Sequence, residues 1–415
     1  MQDSGKTIAF QALCEDEKCT GCFACVNVCH QGAIVASVDE KGFYRPVIVA
    51  DLCVNCGLCT NVCPVLSPVQ NSLFHQEAYV CKNNSDELRR KSSSGALFSA
   101  LSDIIIAKGG LVYGVKMDKS LVAVFSSSES ENGIDAFRGS KYVQAYVGNI
   151  FRDVRKSLIC GKPVLFTGTP CQVAGLKNFL HKDYPNLYTL DFLCHGVPSP
   201  KTFSKNIREW EKKEQDKIVS YHFRDKLKSW NLFNTRITFR KGRIMTAFSK
   251  LQDRYFQLFL FNFGLQEACY HCQYTKRERV SDITMADYWK ECAQLSPKKI
   301  PYDDKGLSLA IINSQNGANL FRELSSSVTS SALNYDEVVK KNKLFRTPFQ
   351  KPADNDVFWS EMMKGISIHD LASRLLLPTR ISLTEKLVMR YGSNPIIRLI
   401  SKLEYRYNKY FIQKK

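Results

Sequence analysis

Between Cys19 and Cys63 the chain reads CTGCFACVNVCH and then, after a short insert, CVNCGLCTNVCP, so the spacing C-x2-C-x2-C-x3-C occurs twice. A cubane iron–sulfur cluster needs four thiolates converging on its corners. In the bacterial ferredoxin pattern three close cysteines hold one cluster and the fourth of the run serves the other. That pairing gives one 4Fe-4S cluster to Cys19, Cys22, Cys25 and Cys63, and a second to Cys53, Cys56, Cys59 and Cys29. Gly21 and Gly57 stand where a small residue lets the backbone approach the sulfurs. Pro64 follows the last cysteine, as is usual in this motif, whereas His30 takes the place of the other proline. Zinc sites favour C-x2-C pairs separated by a longer gap, which explains two such runs poorly.

These thiols need a scaffold. Residues 33–50 read as a β-hairpin turning near Glu40 to Gly42, the insert between the two motifs. Further on, residues 162–167 form a buried strand that turns at Gly168, Thr169 and Pro170 into Cys171 and a helix. Residues 188–193 form another strand, ending in Cys194-His195-Gly196. Strand–helix–strand alternation predicts a mostly parallel sheet, with ligands gathering beyond the carboxyl ends of its strands. That rule joins Cys171 to Cys194. Cys269 and Cys272 add a C-x2-C pair, and the four thiols together suit either a third cluster or a structural zinc. The Ser93-Ser94-Gly95 loop leads into a helix over 96–108, an arrangement that serves as an anion site or as an ordinary cap. Cys14 and Cys81 are surplus thiols, the latter a small core residue on a strand.

With 415 residues the chain divides into two or three domains: 1–75, 76–325 and 326–415, the last a basic helical extension. Residues 1–12 lack the apolar core of a secretory signal, so sixteen cysteines point to a reducing cytoplasm and thiolate ligands. No run of eighteen apolar residues reads as a membrane span. The net charge of +18 suits nucleic acid, an anionic membrane or an acidic protein. No nucleic-acid module is present, and an acidic ferredoxin- or flavodoxin-like electron donor fits the same charge. From residue 380 to the end, nine Lys/Arg face two Asp/Glu among apolar residues. Such a tail reads as a solvated helix on the body or as peripheral contact with the inner face of a membrane.

Several ordered motifs now resemble one family. They are Lys91-Ser92-Ser93-Ser94-Gly95-Ala96, Gly139-Ser140-Lys141-Tyr142-Val143-Gln144, Gly168-Thr169-Pro170-Cys171-Gln172, Cys194-His195-Gly196-Val197, Phe223-Arg224-Asp225-Lys226, and Cys269-x2-Cys272 followed by Ser281-Asp282-Ile283-Thr284. Together they resemble the coenzyme F420 hydrogenase/dehydrogenase beta-subunit family, over residues 15 to 317. The resemblance implies a fold of α+β or α/β class, with an N-terminal bacterial-type ferredoxin domain and a larger mixed α/β domain that binds flavin and a cluster. It implies FAD held by Ser93, Ser94, Gly95, Lys141, Thr167, Gly168, Thr169, Pro170 and Gln172. It also implies a third 4Fe-4S cluster on Cys171, Cys194, Cys269 and Cys272. Lys141 would then stabilise reduced flavin or stand as an ordinary surface lysine, and His195 would donate a proton, orient a ligand or simply pack beside one. Electrons would pass from the donor through the clusters to FAD and a small-molecule substrate, or to another protein. Similar bacterial chains accompany surface polysaccharide synthesis. The family's Gly-Asp-Phe-Trp-Gly stretch is Ala286-Asp287-Tyr288-Trp289-Lys290 here, which weighs against deazaflavin as the substrate.

Overall fold

The computed structural model describes residues 13–69, 74–226, 229–230, 234–248, 252–289, 300 and 303–376. The N-terminal module comprises helix α1 (Ala24–Val28), strands β1 (Ile34–Val38) and β2 (Tyr44–Ile48), and helix α2 (Leu58–Asn61). The strands form the expected hairpin, with Ile34 opposite Ile48. Each short helix starts behind a left-handed residue, Phe23 at φ 63° and Gly57 at φ 75°. Such reversals turn successive amides toward one point, a concavity suited to an anionic cluster.

Beyond residue 75 the chain builds an eight-stranded sheet. Its strands are β3 (Glu77–Asn83), β4 (Leu111–Met117), β5 (Ala123–Ser128), β6 (Val164–Thr167) and β7 (Leu187–Phe192). A separate three-stranded sheet takes β8 (Ile218–Asp225), β9 (Asn234–Phe239) and β10 (Ile244–Phe248). The large sheet is completed by β11 (Ile283–Asp287), β12 (Ser308–Ile312) and β13 (Val328–Leu333). Its order is β13-β3-β12-β11-β7-β6-β4-β5. Only the centre, β4-β6-β7-β11, is parallel; both flanks are antiparallel. The expected mostly parallel sheet is thus a mixed one. At one flank β4 turns straight back into β5, a connection that permits only antiparallel pairing.

The helices of this part are α3 (Asp86–Lys91), α4 (Leu97–Ala107), α5 (Glu131–Ile134), α6 (Ile150–Ile159), α7 (Pro170–Leu180), α8 (Pro200–Glu214) and α9 (Arg254–Leu260). They continue with α10 (Glu267–Tyr270), α11 (Gln315–Arg322), α12 (Tyr335–Lys341), α13 (Asn355–Met363) and α14 (Ile368–Leu375). The most consequential is α7. A capping box between Thr169 and Gln172, with Pro170 in the first turn, fixes where it starts. Val173, Ala174 and Leu176 are fully buried in the same apolar cluster as Cys22, Phe23 and Ala24. The ferredoxin module and the sheet domain therefore share a core.

The expected helical extension from 326 begins otherwise. Val328–Leu333 is a strand that pairs with β3 at the sheet edge, so the boundary drawn at 325 falls just before a sheet member. The basic tail beyond residue 376, with its proposed membrane contact, lies outside the described residues. No helix among the described residues is long and apolar enough to cross a membrane.

Candidate iron–sulfur and flavin site

Three groups of four thiols can be followed through the molecule. In the inner group Cys19, Cys22 and Cys25 are buried and Cys63 is half-buried. Backbone N–H groups of Gly21, Ala24, Val26, Val65 and Leu66 point at their sulfurs. Burial pushes Cys22 and Cys25 up, and neighbouring thiols add to the effect. The loop is pinned from two sides: Arg45 Nη1 and Gln266 Nε2 donate to the Cys19 carbonyl at 2.6 and 2.5 Å. Cys14 is packed here, hydrogen-bonded to Cys19 and Cys63; that contact holds both thiols down near 6.

In the outer group Cys29, Cys53, Cys56 and Cys59 surround one cleft, walled by Ile34, Ile48 and Leu58. Cys56 is exposed and the other three half-buried. Free thiols around a common cleft, reversed loops and inward amides are what a cubane requires, so both sets of residues fit 4Fe-4S clusters.

The third group lies beyond the carboxyl ends of β6 and β7, as the strand-end rule predicts. Cys171 sits in the first turn of α7, 3.1 Å from Thr169 Oγ1, and burial pushes it up to about 11. Burial likewise raises Cys194 and Cys269, with Cys171 and Cys272 among the nearby thiols. Amides of Gly196, Val197, Tyr274 and Thr275 point at these sulfurs. No three His, Cys, Asp or Glu side chains among the described residues close on a single metal ion. The inner group is adjacent. A Cβ on Gly175 of α7 would come within 2.9 Å of Cys22 Sγ, and Thr20 hydrogen-bonds Cys171. Buried Tyr274 has Cys171, Cys22 and Cys272 as neighbours, so it lies between the two groups. Arg279 Nη1 donates to the Tyr274 carbonyl at 2.6 Å, and its Nη2 pairs with buried Asp191 at 3.1 Å.

The residues implied for flavin gather along the same edge of the sheet, with many polar groups engaged. Ser94 Oγ donates to the Leu307 carbonyl at 2.7 Å, and the Gly95 amide to Ser308 Oγ at 2.9 Å. Gly95 has no room for a Cβ, which would lie 2.6 Å from the Ser308 nitrogen. Ser93 Oγ accepts from the Ser140 amide and hydroxyl at 2.8 and 3.0 Å. Thr167 Oγ1, at the end of β6, is buried with no hydrogen-bond partner among the described residues. An unpartnered hydroxyl at this edge is compatible with a polar cofactor such as flavin. Gly168, Thr169, Pro170 and Gln172 shape the turn beside it.

Lys141 and His195 are both engaged with protein groups. The Lys141 ammonium donates to the carbonyls of Ala136, Phe137 and Arg138 at 2.9 to 3.0 Å. All three of its donors hold that turn, and burial pushes the group down to about 7. The His195 ring stacks on Phe349 at 3.9 Å, and its Nε2 meets Asn262 Oδ1 at 2.8 Å. Burial pushes it down to about 4, so it is neutral near pH 7.

The spacing arguments missed a neighbouring cluster. Arg224 Nη1 pairs with Asp287 Oδ2 at 2.5 Å and lies 5.1 Å over the Trp289 ring, which stacks on Trp230 at 4.6 Å. Trp230 Nε1 donates to the Ser93 carbonyl at 3.1 Å, tying this cluster to the serine loop. The motifs containing Arg224 and Asp287 were visible, but nothing local pairs residues 63 apart.

Two four-cysteine groups of ferredoxin spacing define an iron–sulfur electron-transfer protein. Residues 18–66 match the 4Fe-4S dicluster domain, and residues 161–337 match the family described as the C terminus of the coenzyme F420 hydrogenase/dehydrogenase beta subunit. The N-terminal part is 37% identical over 57 residues to an uncharacterized ferredoxin of Methanocaldococcus jannaschii, covering 14% of this chain and 73% of that protein. It is also 37% identical over 62 residues to the pyruvate synthase subunit PorD of the same organism, covering 15% of this chain and 67% of that one. A chain of the F420-reducing nickel–iron hydrogenase complex from Methanosarcina barkeri superposes with a TM-score of 0.42 at 12% identity, over 74% of this chain and 93% of that one. Residues 18–66 therefore belong to the dicluster ferredoxins, with two 4Fe-4S clusters, and residues 161–337 to the C-terminal family of coenzyme F420 hydrogenase/dehydrogenase beta subunits.

Proposed function

We propose that this chain is an iron–sulfur flavoprotein reductase, fed by a ferredoxin- or flavodoxin-like donor at the outer thiol group and acting on a small molecule at the sheet edge. When bound, the clusters carry single electrons and FAD supplies the pairing of two electrons that organic reductions need. Cys29, Cys53, Cys56 and Cys59 hold the outer cluster where a partner can approach. Cys19, Cys22, Cys25 and Cys63 hold the inner one, and Cys171, Cys194, Cys269 and Cys272 a third. Thr167, with the turn through Gln172 and the Ser93–Gly95 loop, holds the flavin. Lys141 anchors the turn that presents Ser140 to Ser93, and His195 packs beside the third group as a neutral ring. Functionally, residues 1–75 form the receiving module and the sheet domain the reducing one.

The observation that carries this reading is the contact of Cys22 with α7 at Gly175, one turn from Cys171. With these thiols as ligands, it supports a short path from the inner group to the third. Anaerobic purification with iron, zinc and released-flavin quantitation tests the assignment. About twelve irons and one FAD per chain are expected for three cubanes and one flavin. About eight irons with one zinc, or no flavin after loading with excess FAD, would overturn it.

A further inference from the structure

We propose that a groove between the β1–β2 hairpin and α8 binds an organic anion with an apolar ring body, at a site distinct from the flavin residues. The groove encloses about 670 Å3, within the roughly 300–1,000 Å3 of small-molecule pockets. None of the residues assigned to flavin lines it. Leu121, Val143, Phe203, Ile207 and Ile218 form its floor, and all five are buried. An apolar floor of this kind takes a ring system rather than an inorganic ion.

Charge specifies the rest of the ligand. Five cations line the groove, Lys119, Lys201, Arg208, Lys217 and Arg240, against three carboxylates, Asp39, Glu40 and Glu211. Two carboxylates are already used: Arg45 takes Asp39 at 3.1 Å, and Lys217 takes Glu211 at 2.7 Å. The Lys201 ammonium reaches only the Glu40 carbonyl and Met363 sulfur, and Arg208 reaches Ser204 Oγ at 3.0 Å. Four cations, Lys119, Lys201, Arg208 and Arg240, thus face one remaining carboxylate, Glu40, among the described residues. Ile207 and Arg208 are consecutive on α8, so floor and rim are presented by one rigid helix. A carboxylate, sulfonate or phosphate on an aromatic or alicyclic body satisfies both at once.

The groove also adjoins the inner thiol group. Tyr44 and Gln144 form a wall, joined by two hydrogen bonds of 2.7 and 3.2 Å. Gln144 packs directly against Gly21, in the loop between Cys19 and Cys22. An occupant is therefore one residue layer from that loop.

The test is isothermal titration of the purified holoprotein with 8-anilinonaphthalene-1-sulfonate, whose rings and sulfonate match the proposed class. One saturable site per chain is expected. The Arg208→Ser/Arg240→Ser variant should bind at least about tenfold more weakly, with iron and flavin contents unchanged. Ile207→Ser, which removes apolar floor and leaves the charges as they are, should weaken binding as well. No saturable binding, or equal affinity in the arginine variant with its iron and flavin intact, would overturn the proposal. Because iron and flavin are counted separately, this outcome is distinguishable from failure of the reductase assignment.

Discussion

The inner and outer thiol groups share one spacing and differ in their surroundings. Cys19, Cys22 and Cys25 are buried, Cys22 against α7, whereas Cys53 and Cys59 are half-buried and Cys56 is exposed. The motif itself dictates only the convergence of sulfurs. What covers each group decides whether it meets a partner or an interior neighbour. The inner group's neighbours are Cys171 and Tyr274, and the outer group's cleft is walled by its own loop and hairpin. Under the proposed function this difference divides the labour, with exchange at the exposed end and onward transfer at the buried one.

The largest effect should come from removing one ligand at each end. Cys22→Ser is expected to abolish flavin reduction by a protein donor, with loss of about four irons. Cys56→Ser should cost the same iron count but leave slow flavin reduction by a small, diffusible reductant. Stopped-flow absorbance separates the two; identical behaviour of both variants toward the small reductant breaks the comparison.

A second effect should be confined to the buried end. Gly175→Val places atoms where Cys22 Sγ lies 2.9 Å from an ideal Cβ. Overpacking of this kind costs about 1–3 kcal/mol. A lower Tm is expected, along with reduced iron at the inner group and an unchanged spectrum of the outer one. A variant with wild-type Tm would show that α7 does not press on Cys22.

Arg152 joins the two ends. Its guanidinium donates to the carbonyls of Asn27 and Cys29 at 2.7 Å each, at the last turn of α1. A cation there also complements the helix dipole. Arg152→Ala should cost about 1.5–3 kcal/mol, the range for hydrogen bonds to charged groups. Denaturant unfolding checks the value, and Arg152→Lys should recover only part of it, since an ammonium cannot reproduce the fork.

The thiol groups were legible because their signal is local. Four cysteines within a short run constrain each other whatever the rest of the chain does. The β1–β2 hairpin, α4 and the capped start of α7 were legible for the same reason. The third group needed a rule about strand ends, and β6 and β7, as parallel neighbours, do bring Cys171 and Cys194 to the same edge of the sheet. Contacts between distant residues left no such trace. The sandwich of His195 depends on Phe349 arriving from a segment far along the chain. Val328–Leu333 gave too short and polar a run to read as a strand, and only the open edge of β3 makes it one.

The smallest effect should appear on the surface of the outer group. Val54 is 60% exposed and Leu52 52%, beside the exposed Cys56, and Val47 and Val35 extend the apolar area across the hairpin. Exposed valines contribute little to folding, so Val54→Glu should change stability by no more than about 0.5 kcal/mol. A donor that docks here by apolar contact loses part of its surface, and an acidic donor also meets a new like charge. The KM for reduced ferredoxin should therefore rise with kcat nearly constant. Val54→Lys keeps the polarity change and reverses the charge, so it should raise KM less. If both variants match the wild type at low ionic strength, the donor does not meet the outer group through this face, and exposure alone does not mark the entry point.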